Sequence, residues 1–503
     1  MTLASRCTHG HVSFHAGPPN SGKTHHALTR LLEVGEGVYA APLRMLAEEA
    51  YRRLSQVAGA HRVGLLTGEQ RINADAPLLA CTAELAPDQG TVLVIDEAHH
   101  AADPDRGSAY TRLLLATTYT EAHLIGGTEL LPIIRSLIPH AQIHTYERMG
   151  RLELVGYRTL EQLPDRTILV TFSRATVLQL AAELQQLRPG RVSALYGALP
   201  IGARRDQIAR FELGRADVLV ATSVIAHGVN LTAQEICFAQ TSRYDGRRTR
   251  PLEPWEAAQI AGRAGRGAQT GRISVLHQHP DFRPHLRVAH SALQATVLVD
   301  PATGTYGYRR IERLQAAMPR PADLAQISLA QLQARLERWQ RPRRAPPRDC
   351  RVVHGGSPSQ LSALQVLARA GHAQLPGPIA WALSHAPLDP QAPDGRAQLL
   401  ELAELAADPA ADAPDFGSDR ARQRNMRRRD LDLAGLEEIA RLDQLSAWAR
   451  TVLGGPPLAH EDLAPLVVAR LRHEINARAA SAHPPARGEP RVRPKVNRAS
   501  GWR

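Results

Sequence analysis

With 503 residues, of which 43% are hydrophobic, the chain is long enough for about three domains with substantial cores. Its 61 lysine and arginine residues exceed its 49 aspartate and glutamate residues, and the formal net charge of +12 favours a polyanionic partner such as nucleic acid. The four cysteines lie far apart without C-x-x-C spacing, which excludes a disulfide framework or a cysteine-based zinc site and favours a reducing compartment, expected to be the cytoplasm.

No segment carries a membrane or targeting signal. No apolar run approaches the roughly 18 residues that a membrane-spanning helix needs, so no membrane association is expected. The first strand is predicted to begin near His11, which leaves no room for a cleaved targeting peptide.

Short apolar runs alternate with amphipathic segments between residues 11 and 146. Strands that alternate with helices form parallel sheets with helices on both faces, and ligands bind beyond the carboxyl ends of their strands. We therefore predict an α/β domain over residues 1–148. Its strands are expected at 12–16, 37–41, 62–66, 78–81, 91–95, 123–126 and 142–146, and its helices at 24–32, 43–55 and 108–117.

The first strand and helix flank a turn, Gly17-Pro-Pro-Asn-Ser-Gly-Lys-Thr24, with the spacing G-x-x-x-x-G-K-[ST] of a phosphate-binding loop. Backbone N–H groups of such a turn and the N-terminus of the following helix hold phosphate. We expect Lys23 to contact the β- and γ-phosphates and the Thr24 hydroxyl to bind Mg²⁺. The chain has only two lysines, Lys23 and Lys495, so an arginine-rich sequence keeps a compact ammonium here. The nucleotide-binding residues predicted in this turn are Gly17, Pro18, Asn20, Ser21, Gly22, Lys23 and Thr24.

A second motif, Asp96-Glu97-Ala98-His99, directly follows the buried strand predicted at 91–95. An aspartate at such a strand end, beside a phosphate-binding loop, can hold Mg²⁺, and the next glutamate can orient and deprotonate the attacking water. We therefore expect Asp96 to bind Mg²⁺ together with Thr24, and Glu97 to act as the catalytic base. The two motifs predict ATP and Mg²⁺ as cofactors.

A second alternating block, predicted over residues 149–285, has no phosphate-binding loop of its own. Its strands are expected at 152–157, 168–172, 192–196, 217–221, 235–239 and 272–276. A helix opening after Pro254 is predicted to carry Gln259 and, on one face, Arg263 and Arg266, which lie three residues apart. Such arginines can stabilise the transition state of a γ-phosphate transfer from across a cleft. Catalysis by Gln259, Arg263 and Arg266 together with Lys23, Asp96 and Glu97 is thus expected at an interdomain cleft that closes with nucleotide state.

Beyond residue 281 only helical patterns follow, at 324–339, 357–370, 398–407, 431–453 and 461–480. They predict an all-helical accessory domain over residues 286–483. Residues 484–503, rich in proline and basic residues, are expected to form a disordered cationic tail.

These motifs, in this order, resemble superfamily 2 helicases with two RecA-like domains, and within them the mitochondrial degradosome RNA helicase family and its bacterial relatives. The resemblance covers residues 11–280. It rests on the motifs at 17–24, 41–47, 67–71, 81–85, 96–99, 126–129, 170–174, 195–200, 220–231 and 259–266. The family usually has Asp-Glu-Ile-Gln where this chain has Asp96-Glu-Ala-His99, which is closer to DEAH-box helicases.

The resemblance implies an ATP-dependent helicase with 3′-to-5′ polarity and a ribonuclease partner. It also implies that Gly228 and Asn230, in the fifth motif, contact the nucleotide. RNA is expected as the substrate rather than DNA, either single-stranded or as a tailed duplex, and a monomer is expected. Two alternatives stay open: a DNA helicase or repair translocase with the same motor, and an ATP-switched RNA clamp that does not unwind.

Polar residues at predicted strand ends and loops are suited to contact phosphates of a single strand without reading its sequence. Because aromatic residues are only 4% of the chain, binding should depend on the backbone and on salt. A hairpin predicted around Asp245-Gly246 adds Arg247 and Arg248, although an arginine-rich surface hairpin without this role is an equal alternative. For the other residues the alternative is a capping or turn role. These other predicted contacts are Pro42, Arg44, Thr67, Gly68, Thr82, Ser173 and Thr222.

Overall fold

The computed structural model describes residues between 7 and 481 with several gaps. The described residues are 7–68, 70–103, 106–225, 231, 233–244, 248–252, 254–265, 267–276, 314–315, 324–340, 352–353, 358–407, 415–417, 431–453 and 462–481. Four residues that the sequence places at functional sites lie outside them: Gly228, Asn230, Arg247 and Arg266.

The first part of the chain forms an eight-stranded sheet. Its strands are β1 (His11–Ala16), β2 (Gly37–Ala41), β3 (Val63–Leu66), β4 (Arg71–Ile72), β5 (Leu78–Thr82), β6 (Gln89–Ile95), β7 (Thr118–Gly126) and β8 (Gln142–Thr145). They lie in the order β4-β3-β5-β2-β6-β7-β1-β8, and β4 alone is antiparallel to its neighbour. Strands β2 and β5 are buried on both faces, which explains their unbroken apolar sequences.

Helices cover both faces of this sheet. They are α1 (Lys23–Val34), α2 (Arg44–Ala58), α3 (Gly107–Leu115) and α4 (Leu131–Leu137). Leu31 of α1 and Leu54 of α2 lie in the core on one face, whereas Leu113 of α3 and Ile133 of α4 lie in the core on the other. The carboxyl ends of β1 and β6 therefore lie at one edge of the sheet, where the phosphate-binding loop at 17–24 meets the acidic motif at 96–99.

A second sheet of six parallel strands follows. Its strands are β9 (Leu152–Arg158), β10 (Thr167–Val170), β11 (Val192–Leu195), β12 (Val218–Ala221), β13 (Glu235–Phe238) and β16 (Gly271–Leu276), in the order β11-β12-β10-β13-β16-β9. An antiparallel hairpin of β14 (Ser242–Tyr244) and β15 (Thr249–Pro251) lies between β13 and β16 in the chain. The helices of this second domain are α5 (Arg174–Leu187), α6 (Ile201–Glu212) and α7 (Pro254–Ala261).

The predicted fold class, two RecA-like parallel-sheet domains followed by a helical region, is confirmed by these sheets. The first sheet ends at Thr145 and the second begins at Leu152, on either side of the predicted junction at 148. The domain limits themselves stay predictions. Short elements without a clear apolar period, such as β4 and α4, were absent from the sequence-based prediction.

The C-terminal region is mainly helical. Its described helices are α8 (Leu329–Gln340), α9 (Pro358–Arg369), α10 (Gly377–Leu383), α11 (Pro393–Ala407), α12 (Leu433–Leu453) and α13 (Ala464–Ser481). The prediction of an all-helical region is wrong in one detail, because a short parallel pair, β17 (Leu314–Gln315) and β18 (Val352–Val353), accompanies these helices, and runs of two residues carry no period that the sequence could show. No helix among the described residues combines the length and the apolar character required to cross a membrane.

Helix α12 belongs to two cores. Leu436 and Ile439 pack into the core of the second domain, whereas Leu445 and Trp448 pack among the helices of the C-terminal region. Leu471 of α13 joins the core of the second domain too. The last two helices are therefore continuous with the second domain and do not belong to the helical accessory unit alone.

Candidate functional site

The turn between β1 and α1 presents the first amides of α1 at the carboxyl edge of the sheet. Gly22 caps the helix in the left-handed region, at φ 80°, which favours glycine. A Cβ on Gly17 would lie 2.7 Å from the carbonyl oxygen of Tyr146. The Ser21 hydroxyl is buried and has no hydrogen-bond partner in the described part of the chain. An unsatisfied buried hydroxyl in a loop of amides fits an anion such as phosphate.

Lys23, the first residue of α1, is buried beside the acidic residues that follow β6. Its Nζ donates to the carbonyl oxygen of Pro18 at 2.9 Å. Burial lowers the pKa of this lysine, while the charges of Glu97, Asp96 and Glu129 act in the opposite direction. An ammonium in a buried site among carboxylates is placed to balance the negative charge of a phosphate.

Asp96 is fixed by hydrogen bonds to the neighbouring strand β2. Its N–H donates to the carbonyl of Ala40 at 3.0 Å, and the Tyr39 hydroxyl donates to its Oδ2. Its Oδ1 accepts from the N–H of Glu97 at 3.0 Å. Burial and the charge of Glu97 raise the pKa of Asp96 to about 6. Tyr39 is a site residue that the sequence prediction missed, because the strand register that brings it to Asp96 is not visible in the sequence.

Glu97 adopts the left-handed conformation at φ 50°, which is uncommon outside glycine. Strained residues of this kind are concentrated at functional sites. Burial alone would raise the pKa of Glu97, but its electrostatic interactions with His99, Lys23 and Arg263 outweigh burial and lower the pKa to about 2. Nδ1 of His99 lies 3.3 Å from Oε2 of Glu97. Glu97 is thereby held as a carboxylate, the form that a general base requires.

Glu129 is a third acidic residue at this edge, and it was not among the predicted site residues. It is buried, and burial raises its pKa. Its carboxylate folds over Gly127, where a Cβ would lie 1.9 Å from Oε2. That Oε2 has no hydrogen-bond partner within the described ranges. The sequence signal for it was the run Gly126-Gly-Thr-Glu129, which the family resemblance includes.

Arg263 does not lie on α7, so the predicted helical face with Arg266 is wrong, and Arg266 itself lies outside the described residues. Helix α7 ends at Ala261, and Arg263 lies in the following turn. Gly265 has φ +73°, and a Cβ there would lie 2.5 Å from the carbonyl oxygen of Gln269. Gly265 thus lets the loop that follows α7 fold back on itself.

Arg263 nevertheless reaches the first domain. Burial is the main cause of the lowered pKa of Lys23, and the charge of Arg263 adds to it. The same charge helps to lower the pKa of Glu97. Gln259, in α7, is buried. The structure thus brings Lys23 and Glu97 of the first domain within electrostatic reach of Arg263 of the second.

Two side chains join the phosphate-binding loop to the turn that carries Arg263. Asn20 donates from Nδ2 to the carbonyl of Gly267 at 3.0 Å and accepts from the Gly267 N–H at 3.2 Å. Arg148 donates from Nη1 to the carbonyls of Pro19, at 2.9 Å, and Gly262, at 3.0 Å. The loop and the turn are thus in direct contact across the cleft.

The predicted nucleic-acid contacts of the first domain lie around the start of α2. The carbonyl of Pro42 accepts from Arg106. The Thr67 hydroxyl accepts from the N–H of Gln70 at 3.0 Å, which is a turn role. A Cβ on Gly68 would lie 3.9 Å from Nη2 of Arg44, so these two predicted residues are neighbours. Thr82 ends β5 and is buried.

In the second domain, Ser173 caps α5, since its hydroxyl accepts from the N–H of Thr176 at 3.0 Å. The N–H of Thr222 donates to the carbonyl of Leu195 at 3.0 Å. The local roles considered as alternatives for these residues are thus present, and their contact with nucleic acid stays a prediction. Arg248 is exposed near the tip of the β14–β15 hairpin.

Comparison with known families shows what the two sheet domains are similar to. Residues 3–146 match the DEXQ-box helicase domain of Suv3, and residues 148–268 match the helicase conserved C-terminal domain. Over residues 3–268 the chain is similar to the Suv3 family of superfamily 2 helicases.

Relatives of this helicase core match about half of the chain. The ATP-dependent RNA helicase SUV3, mitochondrial, of Saccharomyces paradoxus is 35% identical over 271 residues, which cover 51% of this chain and 36% of the relative. The DExH-box ATP-dependent RNA helicase DExH16, mitochondrial, of Arabidopsis thaliana is 35% identical over 299 residues, 56% of this chain and 51% of the relative. The chain thus spans 36–51% of the length of these two relatives.

A solved structure extends the similarity in fold beyond the core. The DEAH/RHA helicase HrpB of Escherichia coli has a TM-score of 0.51 and 17% identity, covering 93% of this chain and 61% of that chain. At this identity the similarity concerns the fold alone.

The comparison corrects two expectations. Assignment to the DEAH-box helicases is not supported, because the matched family is defined by a DEXQ box although this chain has His99 at the fourth position. The expected cytoplasmic location is contradicted, because the named relatives are mitochondrial proteins. Scattered cysteines indicate a reducing compartment without identifying it, and Cys7, Cys81 and Cys237 are free thiols.

The described residues hold no group of three or more metal-binding side chains. Mg²⁺ does not require such a group, since it keeps several waters and is bound by one or two protein oxygens plus phosphate. The Asp96 carboxylate, with both oxygens oriented by hydrogen bonds, and the Thr24 hydroxyl fit this type of site.

Proposed function

We propose that this chain is an ATP-dependent helicase. It hydrolyses ATP between its two RecA-like domains, translocates 3′ to 5′ on a single strand, and unwinds duplexes, RNA in preference to DNA. The observation that carries the proposal is that the turn bearing Arg263, in the second domain, lies against the phosphate-binding loop of the first through the hydrogen bonds of Asn20 and Arg148. A nucleotide-binding edge completed from another domain couples hydrolysis to movement of the domains.

Each residue of the edge has a role in this function. Lys23 binds the β- and γ-phosphates, and Thr24 and Asp96 hold Mg²⁺, which supplies charge neutralisation at the transferred phosphoryl group. Glu97, kept ionised by the cations around it, orients the attacking water and accepts its proton. Arg263, with Arg266 and Gln259, stabilises the charge that develops on the γ-phosphate.

The nucleic-acid strand is proposed to lie across the edge formed by Pro42, Arg44, Thr67, Gly68 and Thr82, and to continue to Ser173 and Thr222. Hydroxyls, backbone amides and one guanidinium contact phosphates there, so binding should weaken strongly with salt. The hairpin tip with Arg247 and Arg248 is proposed to contact the duplex end. A ribonuclease partner and a monomeric state remain predictions.

ATP hydrolysis tests the motor. We expect single-stranded RNA to stimulate the ATPase, and Glu97→Gln to lower kcat by about two to four orders of magnitude while nucleotide binding persists. Glu33→Gln is the matched control, because Glu33 is an exposed carboxylate on α1 that pairs with the exposed Arg30 at 3.3 Å. A wild-type protein that binds RNA and hydrolyses no ATP would instead favour an ATP-switched RNA clamp that does not unwind.

Unwinding tests the substrate and polarity. RNA and DNA duplexes with a single-stranded tail at either the 3′ or the 5′ end are compared at one salt concentration. We expect the 3′-tailed RNA duplex to be unwound fastest. Preferential unwinding of DNA would favour the DNA helicase, and preference for 5′ tails would reverse the proposed polarity.

A further inference from the structure

The side chain of Asn20 is engaged by the second domain. Its carboxamide forms two hydrogen bonds with the backbone of Gly267, with Nδ2 donating to the carbonyl at 3.0 Å and Oδ1 accepting from the N–H at 3.2 Å. A carboxamide carries one donor group and one acceptor, which is the complement of a peptide unit. Asp, Ser or Ala at this position cannot form both bonds. The pairing therefore requires asparagine chemistry.

The backbone of Asn20 is adapted to the same contact. Its φ of 61° lies in the left-handed region, which asparagine tolerates better than most residues. Its carbonyl oxygen accepts from the N–H of Met149 at 3.0 Å, in the segment that connects the two sheets. Asn20 is thus tied both to the connecting segment and to the second domain.

Arg148 makes a parallel connection. Its Nη1 donates to the carbonyls of Pro19, beside Asn20, and of Gly262, and its Nη2 donates to the carbonyl of Ala264. Gly262 and Ala264 are the two neighbours of Arg263 in the chain. All of these acceptors are backbone atoms, so the contact depends on the relative position of the two loops and not on the side chains of the turn.

The turn that carries Arg263 is also held from behind by the second domain. The N–H of Arg263 donates to the carbonyl of Ile260 at 3.1 Å, and its carbonyl accepts from the N–H of Ala233 at 3.2 Å. With the carbonyls on either side of it bound by Arg148, the backbone of Arg263 has a fixed position relative to the phosphate-binding loop.

We propose that Asn20 and Arg148 form an interdomain latch that holds the Arg263 turn against the phosphate-binding loop. Asn20 is then a positioning residue for Arg263, and not the nucleotide ligand that its place in the loop motif predicts. This inference rests on the proposed ATP hydrolysis at the same cleft. It implies that the loss of Asn20 changes turnover and leaves the affinity for nucleotide in place, because Lys23 and the loop amides remain.

Asn20→Gly removes the carboxamide and keeps the left-handed backbone free of strain. Asn20→Asp keeps the size and the acceptor but loses the donor. We expect Asn20→Gly to lower kcat about tenfold and to change the Kd for a fluorescent N-methylanthraniloyl-ADP by no more than about twofold. Asn20→Asp should have an intermediate effect, and Lys23→Ala, the contrasting variant, should lose nucleotide binding itself.

Hydrogen–deuterium exchange tests the latch without ATP turnover. The Gly267 amide donates to Asn20 Oδ1, so it should exchange about tenfold faster in Asn20→Gly. The Met149 amide donates to the backbone carbonyl of Asn20 and should be unchanged, which makes it an internal control for folding.

Combining Asn20→Gly with Arg148→Ala should lower kcat by less than the product of the single effects, because both act on one contact. An unchanged Gly267 exchange rate would overturn the latch even if ATPase is absent. A rise in the Kd for the ADP analogue that accounts for the whole loss of kcat/KM would show that Asn20 is a nucleotide ligand. Failure of wild-type ATPase with normal Gly267 protection would instead refute the proposed function and leave the latch standing.

Discussion

The hydroxyl of Tyr39 on β2 donates a hydrogen bond to Oδ2 of Asp96, at the end of the adjacent strand β6. Both residues are buried, and the bond fixes the plane of the carboxylate that is proposed to hold Mg²⁺. Groups that orient a metal ligand from behind affect metal affinity even though they do not touch the metal.

Tyr39→Phe is therefore expected to weaken Mg²⁺ binding. The apparent Mg²⁺ constant, from ATPase activity and from Mg²⁺-dependent binding of a fluorescent ADP analogue, should rise about tenfold, with a smaller change at saturating Mg²⁺. Tyr119→Phe is the control, since Tyr119 is a buried tyrosine of the same sheet whose hydroxyl donates to the carbonyl of Pro87 at 2.7 Å. Equal effects of the two substitutions would indicate a general loss of stability.

Tyr39 shows which part of the site could not be predicted from the sequence. The apolar run that contains it predicts a buried strand, and the motif that contains Asp96 predicts a metal ligand. The contact between them depends on β2 lying beside β6, a strand order that no local pattern contains. Motif spacing therefore indicated the proposed ligands of the site but not the residues that orient them.

The error at Arg263 has a different cause. A spacing of three residues predicts a shared face only if the segment is helical, and α7 ends at Ala261. Gly265 must take a positive φ because its loop folds back against Gln269. The C-terminal helices were predictable because their apolar period is local. The packing partners of α12 were not predictable, because its apolar pattern shows which residues are buried but not that Leu436 and Leu445 enter different cores.

A buried histidine of the first domain, His15, should make its stability depend on pH. Its Nε2 lies 2.8 Å from Nδ1 of His123, and its Nδ1 lies 2.8 Å from the Tyr146 hydroxyl. Burial first, and then the charges of His123, His144 and His26, lower the pKa of His15 to about 3. The unfolded residue titrates near pH 6.5, so the unfolded state binds the proton first.

The free energy of unfolding should accordingly be greatest above about pH 6.5 and fall as the pH decreases towards 3, by at most about 1.4 kcal/mol per pH unit for this one proton. Glu121, whose pKa is lowered to about 2 mainly by its hydrogen bond from Arg30, adds a loss of stability only below about pH 4.5. Urea unfolding of His15→Gln should show a shallower slope between about pH 4.5 and 6.5 than the wild type. An identical slope would exclude His15 as its source.

Glu256 ties the β14–β15 hairpin to the first turn of α7. It accepts from Arg250 at 2.7 and 3.0 Å and from Arg243 at 3.0 Å, and it is buried. The same helix carries Gln259 and leads to Arg263, so displacement of the hairpin can be transmitted to the catalytic turn. We expect Glu256→Gln to reduce unwinding more than RNA-stimulated ATPase activity, by about tenfold in their ratio, because charge-assisted hydrogen bonds are lost.

The control for Glu256 is another buried ion pair of the second domain. Glu235 accepts from Arg158 at 3.1 and 3.2 Å and from the Ser274 hydroxyl at 2.5 Å, on the sheet and away from the hairpin. Glu235→Gln should lower the melting temperature without changing the ratio of unwinding to hydrolysis. A ratio that falls equally in both variants would assign the effect to stability.

Glu437 anchors α12 to the second domain. Its Oε1 accepts from the Tyr196 hydroxyl at 2.6 Å, and its Oε2 lies 2.9 Å from Nε of Arg174. Because the carboxylate is buried, Glu437→Gln leaves its two partners with a weaker acceptor, and the free energy of unfolding should fall by about 1–3 kcal/mol. Arg174 is partly exposed, so solvent screening places the effect towards the lower end of this range.

Glu474→Gln provides the comparison for urea unfolding of this variant. Glu474 pairs with Arg478 on the surface of α13 at 2.9 Å, and such exposed pairs contribute about 0.3–0.5 kcal/mol. If α12 is part of the second domain, Glu437→Gln should also speed proteolysis between the helices of residues 431–481 while the first domain stays protected. Equal destabilisation by Glu437→Gln and Glu474→Gln would mean that α12 is held by its apolar contacts alone.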